Sequence, residues 1–178
     1  MNRTGFFQTT EPIDEEAARW FYGEGRHAMT IEVPRLDPDR MVVLSLKPRF
    51  AEAILSGVKT VELRRTVPKI FVPTLALLYA TTPVRALVGT CIITSVQTAD
   101  LTALWHEYGS RSDLRHHEFQ QYFDGVDVGT ALALTQPQEF DRRVPLQDLR
   151  AKPTGFRPPQ SFAYVDTKTG DRFIRMAA

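Results

Sequence analysis

The sequence predicts a small α+β protein: a mixed β-barrel of about six strands, with short flanking helices and an N-terminal helical extension. Three observations lead to this fold class. Several short apolar segments are rich in Leu, Val and Ile or alternate apolar with polar residues, as strands do. Helical periodicity is confined to short segments between them. Several short strands with two helix insertions fit a small mixed barrel better than a doubly wound parallel sheet.

Length and composition limit the class of protein. At 178 residues, with 43% hydrophobic and 24% charged residues, the chain suits an extension at 1–40 followed by one domain at 41–178. The longest apolar runs fall far short of the roughly 20 residues needed to cross a bilayer, and we see no signal peptide. We therefore expect a cytoplasmic protein with no membrane partner. Nothing in the sequence sets an oligomeric state.

The extension contains one predicted helix. Asp14 is a suitable N-cap, and Trp20 follows within a group of aromatic residues that Gly23 and Gly25 end. We interpret Trp20 as a core or docking contact, with a base-stacking role as the alternative. A turn-rich linker around Pro34 and Pro38 leads into the domain.

The stretch Leu44 to Arg65 organises the domain. Pro48 suits the first turn of a helix and Gly57 suits the residue that stops one, so we predict a short amphipathic helix at 48–56. The pattern then changes to period two, which predicts a strand with Val61 and Leu63 on its apolar face.

The polar face of that strand carries Thr60, Glu62 and Arg64, about 7 Å apart at the usual rise. Lys47 opens the preceding helix and Lys59 opens the strand, so two ammonium groups can approach the row from its ends. A hydroxyl, a carboxylate and a guanidinium in a row can bind one polar, planar ligand. The alternative is a simple ion pair between Glu62 and Arg64 on an exposed strand face.

The remaining elements follow from the same rules. We predict strands at 41–46, 75–80, 86–96, 129–135, 140–144, 161–165 and 172–174, and helices at 101–108, 116–123 and 146–149. The last two strands are expected to flank a turn at 169–171. A loop with two prolines, at 67–73, is expected to cross the barrel edge.

Charge and residue types exclude several chemistries. The net charge of +1 argues against a protein that coats nucleic acid, but segments 35–69 and 141–175 each hold eight basic and four acidic residues. They form either one basic face or separate solvated loops. With four histidines, one cysteine (Cys91) and no ligand spacing or phosphate-binding loop, we expect no metal and no cofactor.

The stretch LSLKPRFAEAILSGVKTVELRR at 44–65 resembles the signature of the ASCH domain family, above all in GVKTVELRR, read as G-x-K-x-x-E-x-R. YATTPVRALVGT at 79–90, LWHEYG at 104–109 and PPQSFAYV at 158–165 fit the same pattern. The resemblance covers roughly Met41 to Val165. It implies a PUA-like β-barrel that binds nucleic acid, with a pocket lined by Lys47, Lys59, Thr60, Glu62, Arg64, Arg65 and Ser161.

The resemblance leaves the function open between binding and catalysis. We first expect a domain that binds RNA, single-stranded nucleic acid or a nucleotide-like small molecule and reads an unpaired or modified base in this polar cleft. The alternative is an enzyme with Lys59 and Glu62 as catalytic residues. Some relatives resemble ribonucleases, for which Lys59, Glu62 and Arg64 can supply acid, base and phosphate clamp.

Other relatives resemble amidohydrolases of acylated cytidine. Lys59 matches their lysine, but Glu62 stands where they carry a threonine nucleophile, which argues against that activity. A third class is a regulatory module whose groove holds a peptide or a small metabolite.

Overall fold

The computed structural model describes residues 36–37, 39–151 and 154–178. Almost all of the predicted extension, with its helix and Trp20, lies outside these residues, so the interpretation of that segment stays a prediction.

The described residues form twelve elements. In chain order these are β1 (Arg40–Leu46), α1 (Pro48–Leu55), β2 (Val61–Arg64), β3 (Thr74–Ala80), β4 (Ala86–Asp100), α2 (Leu101–Tyr108), a 3-10 turn (Gly109–Arg111), α3 (His116–Tyr122), β5 (Val128–Pro145), α4 (Leu146–Arg150), β6 (Phe162–Asp166) and α5 (Thr167–Arg175). None of the helices in these residues is long and apolar enough to cross a membrane.

The strands make one mixed sheet in the order β2-β5-β4-β3-β1-β6. Only β1 and β3 run parallel, and α1 and β2 lie between them in the sequence. The other neighbours are antiparallel. The predicted mixed α+β fold with short helices is confirmed, but backbone pairing in the described residues leaves β2 and β6 at the two ends and does not close a ring.

Both faces of the central strands are buried, because alternate residues pack into different clusters. Leu44 on β1 and Leu78 on β3 belong to a cluster that α1 covers with Ile54. Val43 and Leu77, their neighbours in the chain, face a second cluster. Helices α4 and α5 cover that second cluster, which includes Leu146, Leu149 and Phe173.

Strand β2 follows the predicted alternation. Val61 and Leu63 are buried in a third cluster with Leu104 of α2 and with Phe119 and Phe123 of the α3 region. The apolar face of β2 therefore packs against the helical insertion, and its polar face must point to the opposite side.

Two predictions about the second half of the chain are wrong. The predicted strands at 129–135 and 140–144 are parts of one strand, β5, which bends where Gln136 takes a positive φ of 49°. Its pairing with β4 shifts register around this point. Pro137 lies within β5, because a bulge can accommodate a proline within a strand.

The predicted strand at 172–174 is part of helix α5. Asp166 caps this helix by accepting from the backbone N–H of Thr169 at 2.8 Å. Gly170 and Phe173 are buried at the i and i+3 positions of α5, and Ala177 is buried just beyond the end of the helix. The sequence Thr169-Gly170-Asp171 is typical of a turn. In the structure Gly170 lies within the helix, where a Cβ would lie 2.2 Å from the sulfur of Met41.

Candidate functional site

The junction between α1 and β2 positions the predicted site. Lys47 is the N-cap residue of α1, and the helix ends at Ser56 before Gly57, whose φ is +78°. The backbone N–H of Lys59 then donates to the carbonyl of Ala53 at 2.8 Å, which folds the chain back towards the helix. As a result the Lys59 side chain points inwards and is 2% exposed.

A row of buried charges runs from Lys59 along β2. The Lys59 ammonium lies 3.1 Å from Oε2 of Glu62, and Oε1 of Glu62 lies 3.0 Å from Nε of Arg64. The ammonium also donates to the carbonyl of Ser112 at 2.5 Å. The three charged side chains therefore form one chain of contacts, which we call the β2 charge row.

The Arg64 guanidinium connects the β2 charge row to the other end of the sheet. Its two terminal nitrogens donate to the carbonyl and the hydroxyl of Ser161 at 3.1 Å each and to the carbonyl of Ser45 at 3.0 Å. The Nε–H is not aimed at Glu62, so within the described residues the 3.0 Å contact is an ion pair without a directed hydrogen bond. Arg64 thus bridges β2, β1 and the start of β6.

The polar face of β2 is turned into the protein. Glu62 pairs in register with Leu132, a member of the cluster under α1, and directly opposed residues on neighbouring strands lie on the same face. The prediction that Glu62 and Arg64 share one face of a strand is confirmed. The alternative of an ion pair on an exposed strand face is wrong, because both side chains are less than a tenth exposed.

Three charged side chains can be buried together only if their charges compensate one another. Two cations and one carboxylate leave one net positive charge in a nearly closed site. Removing one partner of a buried pair typically costs about 3–5 kcal/mol, because the remaining charge is left uncompensated. Stability alone does not readily explain the β2 charge row, and buried charged sites of this kind are candidates for function.

Tyr122 is a site residue that sequence reasoning missed. Its phenol lies near Arg64, Glu62 and the backbone of Arg65, at the C-terminal end of β2. Burial raises the pKa of the phenol, while the positive charge of Arg64 acts in the opposite direction. Tyr122 is the last residue of α3, and the packing of the α3 region on β2 brings it here.

Lys47, Thr60 and Arg65, the other predicted residues on this part of the chain, are not members of the β2 charge row. Lys47 is exposed at the start of α1, and Thr60 is half-buried and uses its backbone to contact Arg111 and Leu134. Arg65 is exposed and donates to the carbonyl of Asp124 at 3.1 Å. The structure therefore brings Lys59, Glu62, Arg64 and Ser161 into one network, with Arg65 adjacent.

Cys91 is buried beneath this site. Burial and, as the smaller effect, the negative charge of Glu62 raise the pKa of its thiol from 9.0 to about 12. This environment suits a small hydrophobic side chain better than a nucleophile. No group of three or more potential metal ligands occurs in the described part of the chain.

A separate cavity of about 250 Å³ lies on the outer side of α1. Its wall is apolar where α1 meets β3 and β4, and its rim carries Glu52, Glu139 and Arg143. None of the predicted site residues lines this cavity.

The curled six-stranded sheet, with short helices and a charged row at the end of β2, defines a PUA-like fold. A family model described as "ASCH domain" matches residues 44–141. The chain therefore belongs to the ASCH domain family, as the GVKTVELRR stretch predicted.

Known proteins share both sequence and fold with this chain. A Zymomonas mobilis protein described as an "ASCH domain-containing ribonuclease" is 33% identical over 142 residues, which cover 79% of this chain and 95% of that protein. The crystal structure of ASCH from Zymomonas mobilis matches with a TM-score of 0.73 and 32% identity, over 78% of this chain and 96% of that one.

A more distant structure shares the fold alone. Human THYN1, solved in complex with 5-methylcytosine-containing DNA, matches with a TM-score of 0.50 and 11% identity. The match covers 78% of this chain and 97% of that one.

Proposed function

We propose that this chain binds single-stranded RNA and reads one unpaired base in a polar cleft at the end of β2. The observation that carries the proposal is the β2 charge row, in which Arg64 holds Glu62 on one side and Ser161 on the other. A carboxylate can accept from the exocyclic amine of a base such as cytosine, and Arg65 and Tyr122 stand beside it.

The proposed cleft requires that a base can reach Glu62. The Glu62 side chain is 9% exposed, whereas Lys59 is 2% exposed and contacts Ser112 and Glu62 with its ammonium. We therefore assign Glu62 to base contact and Lys59 to a positioning role, in which it fixes the carboxylate. Arg65 is exposed and supplies a cation for a phosphate.

The second candidate function is ribonuclease activity, which the 33% identical relative favours by its description. In this scheme the 2′-oxygen of a ribose forms a bond to phosphorus while the bond from phosphorus to the 5′-oxygen breaks. Glu62 takes the proton of the 2′-hydroxyl, and the phenol of Tyr122 gives a proton to the leaving oxygen. The raised pKa of Tyr122 keeps that proton in place at neutral pH.

The amidohydrolase alternative has less support from the contacts. Glu62, which replaces the threonine nucleophile of those relatives, is ion-paired on both sides. Thr60 precedes β2 and lies outside the β2 charge row. We keep this activity only as an outcome of the experiment below.

The substitution Glu62→Gln separates these functions. If Glu62 orients a base, affinity for single-stranded RNA should fall by about 1–3 kcal/mol. If Glu62 is a general base, affinity should stay nearly intact and multiple-turnover cleavage should fall by about 10²–10⁴-fold. Labelled RNA and acetylcytidine serve as the two substrates.

A matched control is Glu52→Gln, because Glu52 is an exposed glutamate of α1 outside the β2 charge row. Thermal melts of both variants test for a change in folding. If Glu62→Gln alters neither RNA binding nor turnover while the fold is retained, the proposed cleft is not the functional site.

A further inference from the structure

Exposed apolar side chains concentrate on one side of the domain. Of the eight large hydrophobic residues that are exposed in the described part of the chain, five lie on the loop between β2 and β3 or directly against it. We call this group the Phe71 surface; its members are Leu36, Val67, Phe71, Val72 and Tyr164. Phe71 is 75% exposed, the largest value in the group.

Hydrogen bonds hold this loop against the sheet. The backbone N–H of Lys69 donates to the phenol oxygen of Tyr164 on β6 at 2.7 Å. The Thr74 hydroxyl donates to the carbonyl of Phe71, and the N–H of Asp37 donates to the carbonyl of Pro73 at 3.0 Å. The aromatic ring of Phe71 is therefore presented to solvent by a fixed backbone.

Positive charge is interleaved with these apolar side chains. The Arg40 guanidinium lies 5.3 Å from the centre of the Tyr164 ring. Arg65 and Lys69 belong to the same loop, and neither forms an ion pair with a carboxylate within the described residues. The nearby Asp37 carboxylate lies 4.0 Å from Arg40. Exposed aromatic rings among unpaired cations are the features that bind single-stranded nucleic acid.

The Phe71 surface is continuous with the proposed cleft. Its loop begins at Arg65, directly after the last residue of β2, and Ser161 precedes β6 by one residue. Phe162 and Tyr164 on β6 are in edge contact, with ring centres 5.9 Å apart. A strand whose base enters the cleft at Arg64 and Ser161 would therefore pass over these aromatic residues.

We propose that the Phe71 surface stacks the bases of single-stranded RNA that flank the nucleotide in the cleft, so that the ligand is an oligonucleotide and not a free nucleoside. This inference rests on the function proposed above. It assigns Phe71 and Tyr164 to stacking, and Lys69 and Arg65 to backbone phosphates. The ordered loop lowers the entropic cost of presenting the Phe71 ring.

The test compares two ligands with matched variants. Fluorescence anisotropy measures the binding of a labelled single-stranded RNA of about ten nucleotides, a length within the site sizes of such surfaces. Calorimetry measures the binding of cytidine monophosphate. Phe71→Ala removes the most exposed ring, and Val128→Ala, at the exposed start of β5, shortens an exposed apolar side chain elsewhere.

We expect Phe71→Ala to weaken oligonucleotide binding by about 5- to 150-fold, the usual effect of removing one stacked base. Mononucleotide binding and the melting temperature should not change, and Val128→Ala should behave like the wild type. Equal oligonucleotide affinity for Phe71→Ala and wild type would overturn this inference but leave the cleft intact.

Other outcomes separate the two proposals. If Phe71→Ala weakens RNA binding but Glu62→Gln changes neither RNA binding nor turnover, the surface binds RNA and the cleft assignment is wrong. If the wild type binds no RNA, both fail, and the Phe71 surface is better assigned to a protein partner.

Discussion

Arg64 and Ser161, 97 positions apart in the sequence, are joined by two hydrogen bonds of 3.1 Å. Arg64 ends β2 and Ser161 precedes β6, and these are the two strands at opposite ends of the sheet order. Side-chain contacts therefore bring the ends of the sheet together where backbone pairing does not. The same guanidinium contacts Glu62, so one residue takes part both in joining the ends of the sheet and in the β2 charge row.

The first prediction concerns this residue. Arg64→Ala should lower the free energy of unfolding by about 3–5 kcal/mol, because it leaves Glu62 buried with only one cationic partner and frees the acceptors at Ser45 and Ser161. Urea unfolding monitored by circular dichroism measures the change. The neighbouring Arg65→Ala, at an exposed position, should change stability by no more than about 0.5 kcal/mol. Equal losses for the two variants would contradict the role of the β2 charge row.

The second prediction concerns phosphate contacts. RNA affinity should fall with salt, with a slope of about −0.7 in log affinity against log salt for each phosphate contacted on a single strand. Arg65→Ala should reduce the slope by about one such unit, because Arg65 is exposed beside the cleft. Titrations at several salt concentrations measure the slope. An affinity that is independent of salt would favour a small metabolite as ligand.

The third prediction concerns the reactivity of Cys91. With a thiol pKa of about 12 instead of 9.0, the native protein at pH 8 should react with an alkylating reagent about a thousandfold more slowly than the denatured protein. The raised pKa also makes the free energy of unfolding depend on pH. The neutral thiol is favoured in the fold, so the free energy of unfolding should decline as pH rises above the ordinary thiol pKa.

Alkylation measured with and without denaturant checks this prediction, and Cys91→Ser provides the background rate. Rapid labelling of the native protein at pH 8 would show that the thiol is accessible and ionised.

The fourth prediction concerns the cap of α5. The backbone N–H of Thr169 and then its hydroxyl hold the pKa of the Asp166 carboxyl below its ordinary value. The stabilising effect of this cap should be present above the ordinary carboxyl pKa and should be lost as pH falls through the lowered one. Asp166→Ala should lower the melting temperature at pH 7, and Asp166→Asn, which keeps a capping oxygen, should lower it less.

Melting curves of the three proteins between pH 7 and strongly acidic pH measure both effects. If the melting temperature of wild type and Asp166→Ala changes with pH in parallel, the carboxylate of Asp166 does not stabilise the native state.

Local patterns predicted the parts of the structure that depend on neighbouring residues. Pro48 and Gly57 bounded α1, and the alternation from Val61 to Arg64 placed Glu62 and Arg64 on one face of β2. The motif GVKTVELRR identified the family before any contact was known. The same reasoning failed at α5, where a Thr-Gly-Asp turn pattern outweighed the helical spacing of Gly170 and Phe173.

Tertiary structure decided what surrounds the polar face of β2. Alternation with a period of two determines which residues share a face of a strand. It does not determine whether that face contacts water or other strands. The Arg64 contacts to Ser45 and Ser161, the approach of Tyr122 and the exposure of Phe71 join segments that are distant in the chain. Such contacts depend on how the sheet curls and how α3 packs on it. Both depend on the total burial of apolar residues from segments that are far apart in the chain. The sequence alone therefore determined the residues of the β2 charge row, and the fold decided that they are buried and connected to one another.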